Sequence, residues 1–241
     1  MRLLCITTDY PPPATGGYEL QCQDFVRYLR GRGHEATVLA GAGGGAEGEP
    51  SVSRLLPRFS VTPQQVKLIQ AWSGERRSAM VLRRALRTRP DAVCFWRLGE
   101  LSMSLVERVR RAGVPAVGMV CDPWMIDGPR RDPWCARRSA RLDSAAQWLF
   151  VSEALRSRVA AAGIAVDEAP VVPWGVDLTS LSLAPHRPWR GRLLYVGRLS
   201  PLKGVDIAIR ALAYLIAATL DVVGTGPEEP RLRALATAAP P

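Results

Sequence analysis

Paired cysteines, histidines, lysines and long apolar runs are what this sequence of 241 residues has little of, and each shortage removes a class of protein. The five cysteines, Cys5, Cys22, Cys94, Cys121 and Cys135, are odd in number, scattered and without a CxxC pair, and only His34 and His186 could supplement them. That pattern argues against a disulfide scaffold and a structural zinc site and fits a reducing cytosol. The N-terminal run Met1 to Asp9 is too short and too soon interrupted for a signal peptide or a membrane span, and reads as a buried first strand. Gly41 to Gly48 is glycine-rich but no Lys-Ser/Thr follows it, so it is a connection and not a Walker phosphate loop; G-x-G-x-x-G is absent as well.

What is present is a substantial apolar fraction, 47%, enough for one good core and the beginning of a second. A formal charge of +10 favours anionic partners: nucleoside diphosphates, nucleic acid or the anionic inner leaflet of a membrane. Charge alone does not choose among them, and the surplus of arginine over lysine reads equally well as a GC-rich coding bias. No nucleic-acid recognition motif accompanies the charge, so nucleic acid is not an expected partner.

Short apolar runs alternate with amphipathic stretches, the pattern of a parallel sheet covered by helices. The expected strands fall near 2–8, 34–40, 91–96, 115–121, 147–151 and 169–173, and the helices near 17–31, 62–88, 100–112 and 152–162. The proline-bearing stretch around Pro173, Pro185 and Pro188 reads as a linker. A new βαβ unit then begins, with strands at 193–196 and 220–223, a helix over about 205–217 and a last helix after Pro227. Two strands and two helices do not close a doubly wound sheet, which leads to the expectation that the sequence is a fragment of a longer protein.

Two strand-to-helix turns carry the candidate chemistry. The first runs Tyr10-Pro11-Pro12-Pro13-Ala14-Thr15-Gly16-Gly17, where glycines let a ligand approach the backbone and the free amides at a helix start favour a phosphate; a plain tight turn has the same residues. The second is Val196-Gly197-Arg198-Leu199-Ser200-Pro201-Leu202-Lys203-Gly204-Val205-Asp206. There two cations five residues apart flank a loop that opens a helix, which suits a diphosphate; the competing reading is a solvated basic loop.

The segment Gly197-Arg198-Leu199-Ser200-Pro201-Leu202-Lys203-Gly204 resembles the G-R-L-x-x-x-K-G signature of the "glycosyl transferases group 1" family, retaining enzymes of GT-B architecture. Pro173-Trp174-Gly175-Val176-Asp177 resembles that family's P-N-G-V-D hinge, Val223-Gly224-Thr225-Gly226-Pro227 its V-G-x-G-P turn, and Ser152-Glu153-Ala154-Leu155-Arg156 a helix start typical of it. Gly16-Gly17 followed by a helix and Arg32-Gly33-His34-Glu35-Ala36-Thr37-Val38 matches its G-G and G-H-E-V-x-V pattern, so the resemblance covers nearly the whole chain.

The resemblance implies an α/β fold of GT-B type. A complete N-terminal, acceptor-binding Rossmann-like domain would occupy 1–175, a linker 176–190, and the start of a donor-binding Rossmann-like domain 191–241. It implies sugar transfer from a nucleotide-sugar donor, with retention, to an acceptor of unknown class, with no cofactor and no bound metal. By matching motif, Arg198, Lys203 and a glycine of the Gly16-Gly17 turn would hold the donor diphosphate. His34 reads as structural.

Departures from the family pattern are informative. Where relatives often carry His-Asp at the end of a first-domain strand, this chain has Cys121-Asp122-Pro123-Trp124. Asp122 stands at the carboxyl end of an expected strand, where open parallel sheets place ligands, and is the candidate catalytic residue; a loop-capping aspartate reads as well. Cys121 and Trp124 are candidates for the acceptor side. Trp174 replaces the hinge asparagine, and the family's paired glutamates are not in the sequence, so the fragment alone is expected not to turn over. The alternative is a non-catalytic, glycosyltransferase-like module that binds a nucleotide or a partner.

Between Glu75 and Arg89 six arginines oppose one glutamate. On a helical wheel Arg76, Arg83 and Arg87 share one face and Ala79, Leu82 and Leu86 the other, which suits either a peripheral contact with an anionic inner leaflet or an ordinary solvated surface. The expected location is the cytoplasm, with that membrane contact as its peripheral variant.

Overall fold

The computed structural model describes residues 1–12, 16–43, 49–58, 68–132, 142–176, 178, 188–215 and 217–238. The chain divides into two units, Met1–Val176 and Asp177–Pro241. Cys135, His186 and most of the expected linker lie outside the described residues.

The first unit is built on six parallel strands: β1 (Arg2–Thr7), β2 (Glu35–Gly41), β3 (Val52–Leu56), β4 (Ala92–Phe95), β5 (Ala116–Val120) and β6 (Gln147–Phe150), in the order β3-β2-β1-β4-β5-β6. Its helices are α1 (Gly17–Gly31), α2 (Leu68–Leu86), α3 (Ser104–Arg111), α4 (Trp124–Arg131), α5 (Leu142–Ala145) and α6 (Glu153–Ala161). Alternation along β1 explains why the strand is apolar throughout. Leu4 and Ile6 enter one core with Val93, Phe95 and Leu105, while Leu3 and Cys5 enter another with Cys22 and Val26 of α1. Each face of the sheet is therefore covered.

The larger core is organised by Trp148. Its ring stacks on Phe95 at 6.1 Å between centroids, meets Trp124 edge-on at 5.5 Å, and its indole N–H donates to the Leu142 carbonyl. Gly118 on the neighbouring strand makes room for it, since a Cβ there would lie 2.1 Å from the indole. Truncating such a ring costs about 3–5 kcal/mol, most of a small domain's stability margin.

A buried polar clasp joins α2 to α3 and to the end of α4. Ser102 donates to Glu75 at 2.7 Å, Arg108 donates to the other Glu75 oxygen at 2.9 Å, and the Met103 N–H donates to Asp132 at 2.8 Å. Burial pushes the Glu75 carboxyl up, but hydrogen bonds from Ser104, Ser102 and Arg108 outweigh it and hold the group below the usual carboxylate range.

Two expectations are corrected here, and part of a third lies outside the described residues. The strand β3, an edge strand, was not anticipated. The segment 169–173 is not a strand but a single bridge between Phe150 and Val171, because Pro170 and Pro173 cannot donate to a ladder. Described helix in the 62–88 region begins at Leu68, and residues 59–67 lie outside the described set.

The second unit pairs β7 (Arg192–Val196) with β8 (Thr219–Val223) in parallel and carries α7 (Val205–Ala211) and α8 (Glu229–Ala238). Leu199, Val205, Ile209 and Leu232 form its small core. The helix expected over 205–217 stops at Ala211 and tightens into a 3-10 turn over Leu212–Tyr214.

Candidate functional site

In the first unit the strand order reverses direction at β1, with β2 on one side and β4 on the other, and the carboxyl ends of β1, β4 and β5 lie along one edge. Open parallel sheets place ligands at such a switch point. The residues just beyond these strands are charged: Asp9 after β1, Arg97 and Glu100 after β4, Asp122 after β5, with Glu19 entering from the first turn of α1. Arg97 sits among them. Its guanidinium lies 3.0 Å from Glu19, 3.5 Å from Asp9, 3.7 Å from Asp122 and 3.8 Å from Glu100. Arg58 adds a second cation, paired to Asp9 and, at 3.5 Å, to Glu100.

Asp122 is half-buried. One of its oxygens accepts the Trp124 backbone N–H at 3.0 Å. Burial raises its pKa above the usual value, opposed by that N–H and by Arg97, while Asp127 and Glu19 add to the rise. The group is thus a carboxylate that holds a proton more readily than a surface aspartate. Trp124, an expected acceptor-side residue, has its indole buried against Trp148, so its contribution to this edge is its backbone N–H.

Gly16 and Gly17 open α1 beside the same edge. The Glu19 carboxylate reaches back under the turn: a Cβ on Gly16 would lie 2.9 Å from its oxygen. Tyr18 donates its hydroxyl to the Met119 carbonyl at 2.7 Å and meets Trp174 edge-on at 5.6 Å. The Cys121 thiol is within hydrogen-bonding reach of both Tyr18 and Trp174. Burial pushes its thiol up to about 12, against hydrogen bonds with Tyr18 and Trp174 that favour the thiolate, so it is a filled wall and not a nucleophile. No group of three or more His, Cys, Asp or Glu side chains placed to hold a metal ion occurs among the described residues.

The second unit carries the other expected site. The backbones leaving β7 and β8 run against each other: the Gly197 N–H donates to Val223 at 3.0 Å, the Leu199 N–H to Thr225 at 2.9 Å, and the Glu228 N–H to Leu199 at 3.1 Å. This approach needs Gly224, whose Cβ would fall 1.8 Å from the Gly197 carbonyl oxygen. Arg198 and Lys203 are both exposed on the β7–α7 connection, and the Tyr195 hydroxyl donates to the Arg198 carbonyl at 3.0 Å, anchoring its backbone.

Sequence reasoning missed Glu19, Arg97, Asp9, Glu100 and Arg58. The available signal was position: each of Asp9 and Arg97 directly follows an apolar strand, as Asp122 does.

A doubly wound parallel sheet of this order, followed by a second βαβ unit with glycine-bound, arginine- and lysine-bearing turns, defines a Rossmann-like protein of the GT-B class. Residues 15–180 match the model of "Glycosyltransferase Family 4", and the chain belongs to that family. It is 26% identical over 271 residues to the glycogen synthase of Mycobacterium tuberculosis, a match spanning 95% of this chain and 63% of that relative. Among solved structures, Anabaena HepE in complex with UDP-glucose superposes with a TM-score of 0.65 at 20% identity, over 98% of this chain and 65% of that one. WaaG, a glycosyltransferase involved in lipopolysaccharide biosynthesis, gives 0.63 at 16% identity, over 98% and 66%. The catalytic domain of Arabidopsis thaliana starch synthase IV, bound to ADP and acarbose, gives 0.60 at 13% identity, over 97% and 70%. At these identities the solved structures show the fold.

Proposed function

We propose that the chain serves a retaining transfer of a sugar from a nucleoside diphosphate sugar to a hydroxyl acceptor, with the first unit binding the acceptor and the second the donor diphosphate. The observation that carries this reading is the β7–α7 connection, where a backbone pinned by three cross-loop hydrogen bonds presents Arg198 and Lys203 to solvent. Fixed cations of this kind stabilise charge that develops on a departing diphosphate without metal. HepE and starch synthase IV, whose structures hold UDP-glucose and ADP, support a nucleotide-sugar donor. In the first unit Asp122 is the acceptor-side group: its carboxylate accepts the hydrogen bond of an incoming hydroxyl, while the amides at the Gly16-Gly17 turn suit an anionic substituent.

Incubating the natural protein that contains this sequence with UDP-glucose or ADP-glucose and a glucan acceptor, and following anomeric protons by NMR, tests the reading. Net retention with an α-configured product is expected. An inverted product ends the retaining assignment, and nucleotide binding without transfer supports a binding module instead.

A peripheral membrane contact is the second part of the proposal. No helix among the described residues is long and apolar enough to cross a membrane. The outer face of α2 carries Arg76, Arg77, Arg83 and Arg84 around Met80, which is 60% exposed, with Arg87 in the turn just after it, while Leu82 points into the core. Each arginine near an anionic surface contributes about 1 kcal/mol. Reversing Arg83, Arg84 and Arg87 to glutamate is therefore expected to weaken co-sedimentation with phosphatidylglycerol-containing vesicles by at least about 100-fold. Binding to pure phosphatidylcholine vesicles that matches it, or insensitivity to salt, sinks this part.

A further inference from the structure

The charged edge of the first unit contains one side chain that touches every part of it, and the family resemblance assigns it nothing. Arg97 follows β4 and is held at both ends. Its carbonyl accepts the Thr8 N–H at 2.7 Å and the Thr8 hydroxyl at 2.9 Å, which fastens it to the end of β1. Its guanidinium divides its edges: Nη1 donates to Glu19 at 3.0 Å, Nη2 faces Glu100, and Nε faces Asp122 at 3.7 Å. A lysine has one pole and could not serve three directions at once.

The four surrounding carboxylates differ in exposure in a way that assigns their work. The Glu19 side chain is 4% exposed, Asp9 18%, Glu100 26% and Asp122 37%. A carboxylate as buried as Glu19 survives only if compensated, and Arg97 is the cation that does so. Glu19 in turn lies under Gly16. Asp122 is the least buried, and Arg97 stands beyond hydrogen-bond distance from it, so an oxygen of Asp122 keeps lone pairs open toward a substrate.

We propose that Arg97 is a positioning residue that locks the glycine turn, through Glu19, to Asp122 and holds the Asp122 carboxylate in place to accept a hydrogen bond from the acceptor hydroxyl. The inference rests on the transferase reading above. The groups that face Asp122 are Arg97 from the end of β4, Glu19 from α1, Asp127 from α4, and the Trp124 N–H; Cys121 adjoins it and Tyr18 packs beside that thiol. Of the side chains in this set only Arg97 favours the ionised form, so its loss leaves burial and two like charges opposed by the Trp124 N–H alone.

The test uses the natural protein that contains this sequence, labelled with carboxyl-13C aspartate, with Asp122→Asn to assign the resonance. In Arg97→Met the titration midpoint of Asp122 moves to higher pH, while Arg97→Lys, which keeps the charge but not the fork, moves it less. Backbone amides of residues 17–20 exchange faster in both variants. Release of UDP or ADP from the corresponding glucose donors falls at least about 10-fold in Arg97→Met, as it does in Asp122→Asn. An unmoved Asp122 midpoint, unchanged exchange at the glycine turn, or wild-type turnover in Arg97→Met overturns the proposal. If Arg97→Met does not fold, Glu19→Gln/Arg97→Met removes the buried charge left behind and carries the same measurements. A wild-type chain that binds neither UDP nor ADP ends the transferase reading, whereas the resonance still decides whether Arg97 holds Asp122.

Discussion

Replacing Arg198 and Lys203 together by alanine is expected to weaken binding of UDP or ADP to the full chain by two to three orders of magnitude, read by calorimetry. A hydrogen bond to a charged group contributes about 1.5–3 kcal/mol, and each tenfold in affinity is about 1.4 kcal/mol. Two such contacts would give about 3–6 kcal/mol if independent; cations on one short loop share the same diphosphate, so the lower half of that range is the expectation. Both side chains are exposed, and the backbone of this connection is held by Tyr195, Val223 and Thr225. Thermal stability should therefore stay within about 0.5 kcal/mol of wild type. Arg158→Ala on the exposed face of α6 is a single surface-charge control and should leave affinity alone. Unaltered nucleotide affinity in the double variant would remove the β7–α7 connection from the donor site.

How far these residues could be found without coordinates differs from element to element. β1, β4 and β5 announce themselves because strands covered on both faces are largely apolar, as Leu3-Leu4-Cys5-Ile6 is. β3 does not: it is an edge strand on which Ser53 and Arg54 interrupt the apolar run, and it follows a glycine-rich stretch that reads as loop. The false strand at 169–173 arose from Val171-Val172, where composition favours a strand and the flanking prolines forbid a ladder. The helix after Lys203 was overextended because Leu212 to Tyr214 continue the apolar pattern while the backbone tightens.

The candidate site shows the same division. Asp122 is legible from the rule that ligands gather at the carboxyl ends of parallel strands, Gly17 from the free amides at a helix start, and Cys121 from its place in the family pattern. The Arg97 network was not, since Arg97 and Glu19 are 78 residues apart and meet only once the order β2-β1-β4-β5 is known. Nor could sequence tell that Trp124 packs inward against Trp148 while Trp174 stays partly exposed beside Tyr18.

Gly224→Ala should produce the largest structural effect of any single methyl group in the second unit. The added Cβ would lie 1.8 Å from the Gly197 carbonyl oxygen, and the residue's φ of 155° lies where L side chains are strained. The obstacle is backbone on both sides, so no rotamer relieves it. To make room, the strand ends must separate and give up the bonds from Gly197 to Val223 and from Leu199 to Thr225, which also place Leu199 in the small core with Val205, Ile209 and Leu232. Strain and lost packing together are expected to cost roughly 3 kcal/mol or more, comparable to the whole margin of so small a core. Hydrogen exchange should rise across β7, β8 and α7 and remain at wild-type levels in β1, β4 and β5. Nucleotide affinity should fall with it, because Arg198 rides on the displaced backbone. Gly226→Ala, with a Cβ 2.1 Å from the Leu199 carbonyl, should behave alike, whereas Gly175→Ala has nothing within 4 Å of its Cβ and should be silent. Equal protection in Gly224→Ala and Gly175→Ala would mean that the two strand ends do not need their close approach, and that the loop bearing Arg198 is held by something other than its neighbour.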